Sequence, residues 1–435
     1  MSSRLQIQGF AKRTISLAQH QTSAFKLMLW RRTLHGVATG LSAQYNSIYA
    51  TLLGADPVQL GSLQSVGNLI GALAAVPAGW LIDYYSLRRV FLLGTTLLVA
   101  SQLLYLAAPG WVWLYAAIIL FYLGMRTTCT SCTVVCAAEL PNEERATGRG
   151  LCRTLSSTVA IVTPLLAAWG VYAFGGISVS GIRPLYAAQM LIFAGIFVLL
   201  LVRLRDSYSG GASADRSLAL SGLADVFRRG PDVVRLMLVV GLMELPWTLA
   251  APFVPLYAHE VKGADEFTLS GIAMAMTVMP LLVSIPLGRL ADRHGRKKLL
   301  FALAPLAYLA NLCLVLAPAA STRASPVLLL YGVLAGFNSV SMALAAAMTA
   351  EIMPRDQMGR WIGIVSLFRG VLAIPAPLLG GLIWEHLGPQ YVFLAAVAID
   401  LCLRLPLLAS VRETLHLEPG QSARGPTRPR GEAVM

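Results

Sequence analysis

Charge is scarce in this sequence. Of its 435 residues only 13% are Asp, Glu, Lys or Arg, about half the roughly 25% of a soluble domain. With 56% of the residues hydrophobic, soluble domains have no way to hide so much apolar surface, and a bilayer must do it. The sequence also contains no HExxH, no GxxxxGK[ST] and no GxSxG. Those absences speak against a zinc hydrolase, a nucleotide-driven pump and a serine hydrolase. No cofactor is expected, and the chain does not read as an enzyme. Cysteines number six; Cys129, Cys132, Cys136 and Cys402 lie inside apolar runs and Cys152 and Cys313 near run ends, so no extracellular disulfide framework is visible. No secretory h-region precedes the first run.

What is present is a series of twelve apolar runs of about 20 residues, each long enough to cross roughly 30 Å of hydrocarbon. Their approximate limits are 33–53, 58–82, 88–108, 111–139, 148–173, 184–204, 234–258, 267–290, 297–318, 326–350, 360–384 and 389–411. The net charge of +13 would suggest nucleic acid in a soluble protein, but its distribution argues otherwise. With both termini cytoplasmic, the outer loops hold only Arg183, Lys262 and Arg323, and the spans hold Arg126, Arg369 and Arg404. The other 28 of the 34 basic residues fall on one side, the orientation signal of a multi-pass protein of the plasma (inner) membrane. No nucleic-acid partner is expected. Residues 1–32, basic and without acids, read as a cytoplasmic arm on anionic lipid, with a transit peptide as the alternative.

The second half of the chain repeats the first. IYATLLGADPVQLGS (48–62) aligns with LYAHEVKGADEFTLSG (256–271), VPAGWLID (76–83) with IPLGRLAD (285–292), AELPNEERATGRG (138–150) with AEIMPRDQMGRWIG (350–363), and TPLLAA (163–168) with APLLGG (376–381). A near-constant offset of this kind points to a duplicated six-helix unit. The expected architecture is an all-α membrane protein of twelve transmembrane helices in two six-helix pseudo-repeats. Its parts are an arm over 1–32, bundles over 33–204 and 234–411, a polar linker over 205–233 and a cytoplasmic tail over 412–435.

Along nearly its whole length the sequence resembles the major facilitator superfamily of transporters. GRLADRHGRKK (288–298) fits that family's loop signature between the eighth and ninth helices, supplying Gly288, Asp292, Gly295, Arg296 and Lys297. The N-terminal counterpart, GWLIDYYSLRR (79–89), keeps Gly79, Asp83, Arg88 and Arg89 but has Ser86 where the family has glycine. The resemblance implies that Asp83 docks near Gly359 and Arg360, and Asp292 near Gly148 and Arg149, to latch an inner gate. Glu139 and Glu351, ending the fourth and tenth spans, stand where they can pair with Arg88, Arg89, Arg296 or Lys297. The reading without a gate is that these are loop charges that mark orientation.

In that family the substrate lies midway across the membrane, between the first, fourth, seventh and tenth helices. Ionisable groups at that depth are costly and need a partner or a pathway. The candidates are Arg126, Glu244 and Arg369, with Asn338 at the repeat position of Arg126. Polar residues of the first and seventh spans, His35, Gln44, Asn46 and Trp247, join them. Glu244 is the candidate proton carrier with Arg126 as its expected partner, and the alternative is a permanent salt bridge between the two. Asp400 and Arg404, spaced i, i+4, read as a structural pair.

The expected function is secondary transport of a small organic molecule by a monomer working through alternating access, coupled to protons and leaning to efflux. The lean rests on TPLLAA, a degenerate copy of the family's antiporter element. The alternatives are proton-coupled uptake of an organic anion, soft-metal (copper) transport through Cys129, Cys132 and Cys136, and a non-transporting receptor.

Overall fold

The computed structural model describes residues 23–139, 145–204, 231–319, 324–352, 358–411 and 413. All regular structure among them is helical. The helices are α1 (Ser23–Ser42), α2 (Asn46–Leu52), α3 (Pro57–Leu73), α4 (Ala75–Tyr84), α5 (Leu87–Ala107), α6 (Trp113–Glu139), α7 (Arg145–Ala173) and α8 (Val179–Arg203) in the first half. The second half has α9 (Pro231–Ala250), α10 (Phe253–Leu256), α11 (Glu266–His294), α12 (Arg296–Leu316), α13 (Ala324–Ile352), α14 (Met358–Ala373), α15 (Ala376–His386), α16 (Pro389–Ile399) and α17 (Leu405–Ser410). Single π-helical turns at Tyr257–Val261 and Asp400–Arg404 interrupt the seventh and twelfth expected spans.

Among the described residues, eight helices are long and apolar enough to cross a membrane alone. The first, second and eleventh expected spans are instead built from helix pairs. The first starts at Ser23, nearer the N-terminus than expected, and breaks over residues 43–45. In the eleventh, Pro375 ends up as the residue preceding α15, because proline cannot donate the helical hydrogen bond.

The chain forms two compact units. Unit 1 is residues 1–56, 66–213 and 264–277; unit 2 is 57–65, 214–263 and 278–435. Each unit therefore includes a short piece of a helix whose remainder belongs to the other. The core of unit 1 joins Met28 and Ala38 of α1, Phe91 and Leu98 of α5, and Phe193 and Ile196 of α8. That of unit 2 joins Val239 and Met243 of α9, Leu300 of α12, Leu344 of α13 and Leu408 of α17. Large apolar side chains also face outward, among them Val202, Leu282, Ile285 and Leu316, as lipid contact requires.

Buried hydroxyls and amides turn to backbone carbonyls. Ser101 donates to Ala117 O across α5 and α6 at 2.8 Å. Lys262, which follows the first π-turn, gives its ammonium to the carbonyls of Val315 and Ala317 at the end of α12, each at 2.7 Å.

Candidate functional site: a charged pair and a cavity in unit 2

Glu244 lies on α9 one turn after Gly241. A Cβ on Gly241 would collide with the Phe368 ring, so glycine lets α14 pack tightly here. The next residue of α14, Arg369, then meets the acid. Its Nε donates to Glu244 Oε2 at 3.1 Å and its Nη2 donates to the same oxygen. The side chains keep 34% and 23% of their surface open, so the pair is not sealed in the core. The partner given to Glu244 is thus Arg369 and not Arg126. Arg126, on α6, lies exposed beside Gly71, its Nε 3.4 Å from where a Cβ there would stand.

One turn beyond Glu244, Trp247 lines a cavity of about 80 Å³ that also takes in Asn338 of α13. Its wall includes Tyr308, Asp400 and Arg404. Arg404 Nε and Nη2 both donate to Asp400, the latter to Oδ2 at 2.6 Å, and the Tyr308 hydroxyl donates to Oδ2 at 2.5 Å. The pair expected at i, i+4 forms, but on a π-helical turn and facing a cavity. Such turns are frequent at functional sites.

The remaining polar candidates belong to unit 1 and hold helices together there. The Gln44 amide donates to Ser270 Oγ at 2.8 Å and to Pro164 O at 3.3 Å, and Ser270 Oγ donates to Pro164 O at 2.6 Å. Both side chains are buried. Asn46 Oδ1 accepts from the Tyr186 hydroxyl at 2.9 Å. His35 places Nε2 2.9 Å from Met125 Sδ and its ring 5.4 Å from that of Phe193.

A family model described as Major Facilitator Superfamily matches residues 33–279 and 236–430. The chain belongs to the major facilitator superfamily. It is 25% identical over 393 residues to the multidrug resistance protein MdtG of Enterobacter lignolyticus, covering 88% of this chain and 90% of that one. It is 31% identical over 158 residues to a multi-drug resistance efflux pump PmrA homolog of Lactococcus lactis, but that match spans 35% of this chain and 37% of the relative. The crystal structure of the nucleoside transporter NupG shares the fold, with a TM-score of 0.72 at 12% identity over 89% of this chain and 99% of that one. The protein is a membrane-spanning transporter, not an enzyme.

The superfamily's loop signatures are tied down within each unit. Arg88 Nη2 donates to Leu201 O near the end of α8 at 2.7 Å, and Lys297 Nζ donates to Ala409 O and Val411 O at the end of α17 at 2.7 and 2.6 Å. Arg88 and Lys297 occupy the same place in the two repeats. Each therefore satisfies orphan carbonyls at the end of its half's last helix, where the partial charge is negative. The side chains of the expected partners Glu139 and Glu351 lie outside the described residues, as do those of Asp83, Arg360 and Arg149; the surroundings of Gly359 and Gly148 lie outside them too. Arg89 is exposed. Asp292 is 66% exposed and its side chain lies 3.6 Å from Arg296 one turn on. A Cβ on Gly288 would meet nothing within 4 Å. Gly79 sits in α4.

The substitution of Ser86 for glycine has a backbone reason. Gly295 adopts φ 101°, which favours glycine, whereas Ser86 at the equivalent position adopts φ −62°, ψ 140°.

Glu413 was not anticipated from the sequence. Its Oε1 accepts from the backbone N–H of Arg296 at 3.0 Å and of Lys297 at 3.4 Å, a carboxylate at the positive end of α12. Nothing in a polar tail marks it out. Tyr308 and Ser270 carry no sequence signal either, since one hydroxyl in an apolar run is no signal by itself.

Of the three cysteines in the fourth span, Cys129 is exposed and forms no disulfide among the described residues, and the side chains of Cys132 and Cys136 lie outside the described residues. Among the described residues no group of three or more His, Cys, Asp or Glu is placed to hold a metal.

Proposed function

We propose that this protein exports small organic molecules by alternating access in exchange for protons, with Glu244 and Arg369 as the coupling pair. The observation that carries the reading is the partly open Glu244–Arg369 pair on two helices of one bundle. An ionisable pair inside apolar helices is costly to keep unless it has work to do. A proton on Glu244 removes the charge that holds Arg369, and Arg369 released in this way is a donor for a substrate's acceptor groups. Proton and substrate thus act on one bond, as antiport needs. Similarity to relatives named as multidrug resistance and efflux proteins supports the outward direction. The distribution of basic residues supports a cytoplasmic position for both termini, and the reading takes the transporter to work as a monomer.

The test uses purified protein in liposomes with an imposed pH gradient and a panel of organic cations, anions and neutral drugs. Wild-type protein is expected to move protons only when a transported compound is present. Glu244→Gln, fixed in the protonated-like form, is expected to lose pH-driven accumulation and keep substrate exchange at equal pH. Gradient-driven accumulation by Glu244→Gln at the wild-type rate would remove Glu244 from the coupling step.

A further inference from the structure

We infer that the cavity between α9, α12, α13 and the Asp400–Arg404 turn is a substrate subsite for an uncharged aromatic group bearing hydrogen-bonding functions, a phenol or an anilide. It rests on the transport reading for a substrate to fill it, and it adds a substrate class that the charged pair does not specify.

Size comes first. About 80 Å³ is room for several waters, or for part of a substituted ring whose remainder stays outside the cavity. The walls select its chemistry. Trp247 and Tyr308 put aromatic side chains on the lining, groups that favour contact with a planar ring. Among the described residues the ionised groups on the lining are Asp400 and Arg404, and they neutralise each other: Asp400 receives two donors from Arg404 and a third from Tyr308, so they offer no uncompensated charge to an ion. A cation or an anion entering would lose its hydration without a counter-charge.

Unused hydrogen-bonding capacity completes the case. Tyr331 is 3% exposed, its hydroxyl lies on a residue that lines the cavity, and it has no hydrogen-bond partner among the described residues. The Asn338 amide and the Trp247 indole N–H, on the same wall, likewise have none there. Of the three only Tyr331 is buried; Asn338 is half-buried and Trp247 exposed. A ligand carrying both a donor and an acceptor pairs with all three.

The test places a reporter in the cavity by Ser341→Cys, a near-isosteric change at a lining residue. Full-length protein in lipid nanodiscs is labelled with methanethiosulfonates bearing a hydroxyl, a trimethylammonium or a sulfonate. The rate at position 341 is read by peptide mass spectrometry and divided by each reagent's rate with a free thiol. The hydroxyl reagent is expected to be fastest. Asp400→Asn, which leaves Arg404 unpaired, is expected to raise the sulfonate rate about tenfold, and Arg404→Gln the trimethylammonium rate by a similar factor. The double variant, neutral again, is expected to return to the starting order. It also covers the case in which either single variant fails to fold.

The probe ligands are 4-hydroxyacetanilide, benzoate and benzyltrimethylammonium. Only the anilide is expected to slow labelling, and Tyr331→Phe to weaken that protection. A cysteine that labels readily but is protected equally by all three probes, or by none, would overturn the subsite, as would a cysteine that no reagent reaches. Labelling needs no gradient, so loss of proton coupling in liposomes with protection intact would refute the transport reading alone.

Discussion

Lys262 shows what one residue contributes at the edge of the membrane. Its ammonium satisfies two carbonyls at the end of α12 and lies 5.3 Å from the Tyr257 ring centre. Burial holds its amine below the ordinary lysine range. Between that lowered value and the unfolded value of about 10.4, the unfolded chain binds the proton more readily than the fold does. This site's share of stability therefore rises with pH through that window. Lys262→Met is expected to cost about 1.5–3 kcal/mol by stranding the carbonyls and to flatten that rise, as read by thermal unfolding across alkaline pH. The sequence marked Lys262 only as one of three basic residues on the outer side. Glu244 and Arg369 stood out because an ionisable group in an apolar run is conspicuous on its own. That they meet each other depends on Gly241 admitting Phe368, a distance that no spacing along the chain encodes.

At the scale of elements, the duplication explains a pair of junctions. Gly61 and Ser270 align in the two repeats, as do Pro377 and Pro164. In unit 2 a Cβ on Gly61 would collide with Pro377 O, and one on Gly381 with Pro57 O. In unit 1 the Ser270 hydroxyl bonds Pro164 O. One ancestral contact has become a bare close approach in one copy and a hydrogen bond in the other. Gly381→Ala is expected to destabilise by about 1–3 kcal/mol through overpacking. Ser270→Ala is expected to cost about 1–3 kcal/mol by removing a buried bond that also serves Gln44. Thermal unfolding in detergent measures both, and a neutral Gly381→Ala would mean that the helices part at no cost. The alignment of TPLLAA with APLLGG was visible in the sequence, but its purpose was not. The bonds join segments about a hundred residues apart, and the motif reads equally well as generic small-residue packing.

For the whole molecule, composition and repetition were enough for the fold class, because a bilayer leaves few ways to satisfy a backbone. They did not reveal that residues 57–65 and 264–277 would be grouped away from their own helices, since that grouping depends on side-chain fit. Nor did a polar tail announce that Glu413 closes the start of α12. Glu413→Gln is expected to lower stability by about 0.3–1 kcal/mol and to leave the amide bonds of Arg296 and Lys297 less protected, which hydrogen exchange at those two amides would detect.

The clamp also has an order in time. Glu413 follows Arg296 by 117 residues. At 5–20 residues per second, a ribosome needs roughly 6–23 s to travel between them. Throughout that interval the start of α12 exists without its cap. The loop signature is therefore among the last features of the protein to be finished, and a nascent chain stalled before Glu413 would carry every transmembrane helix yet an open first turn in α12.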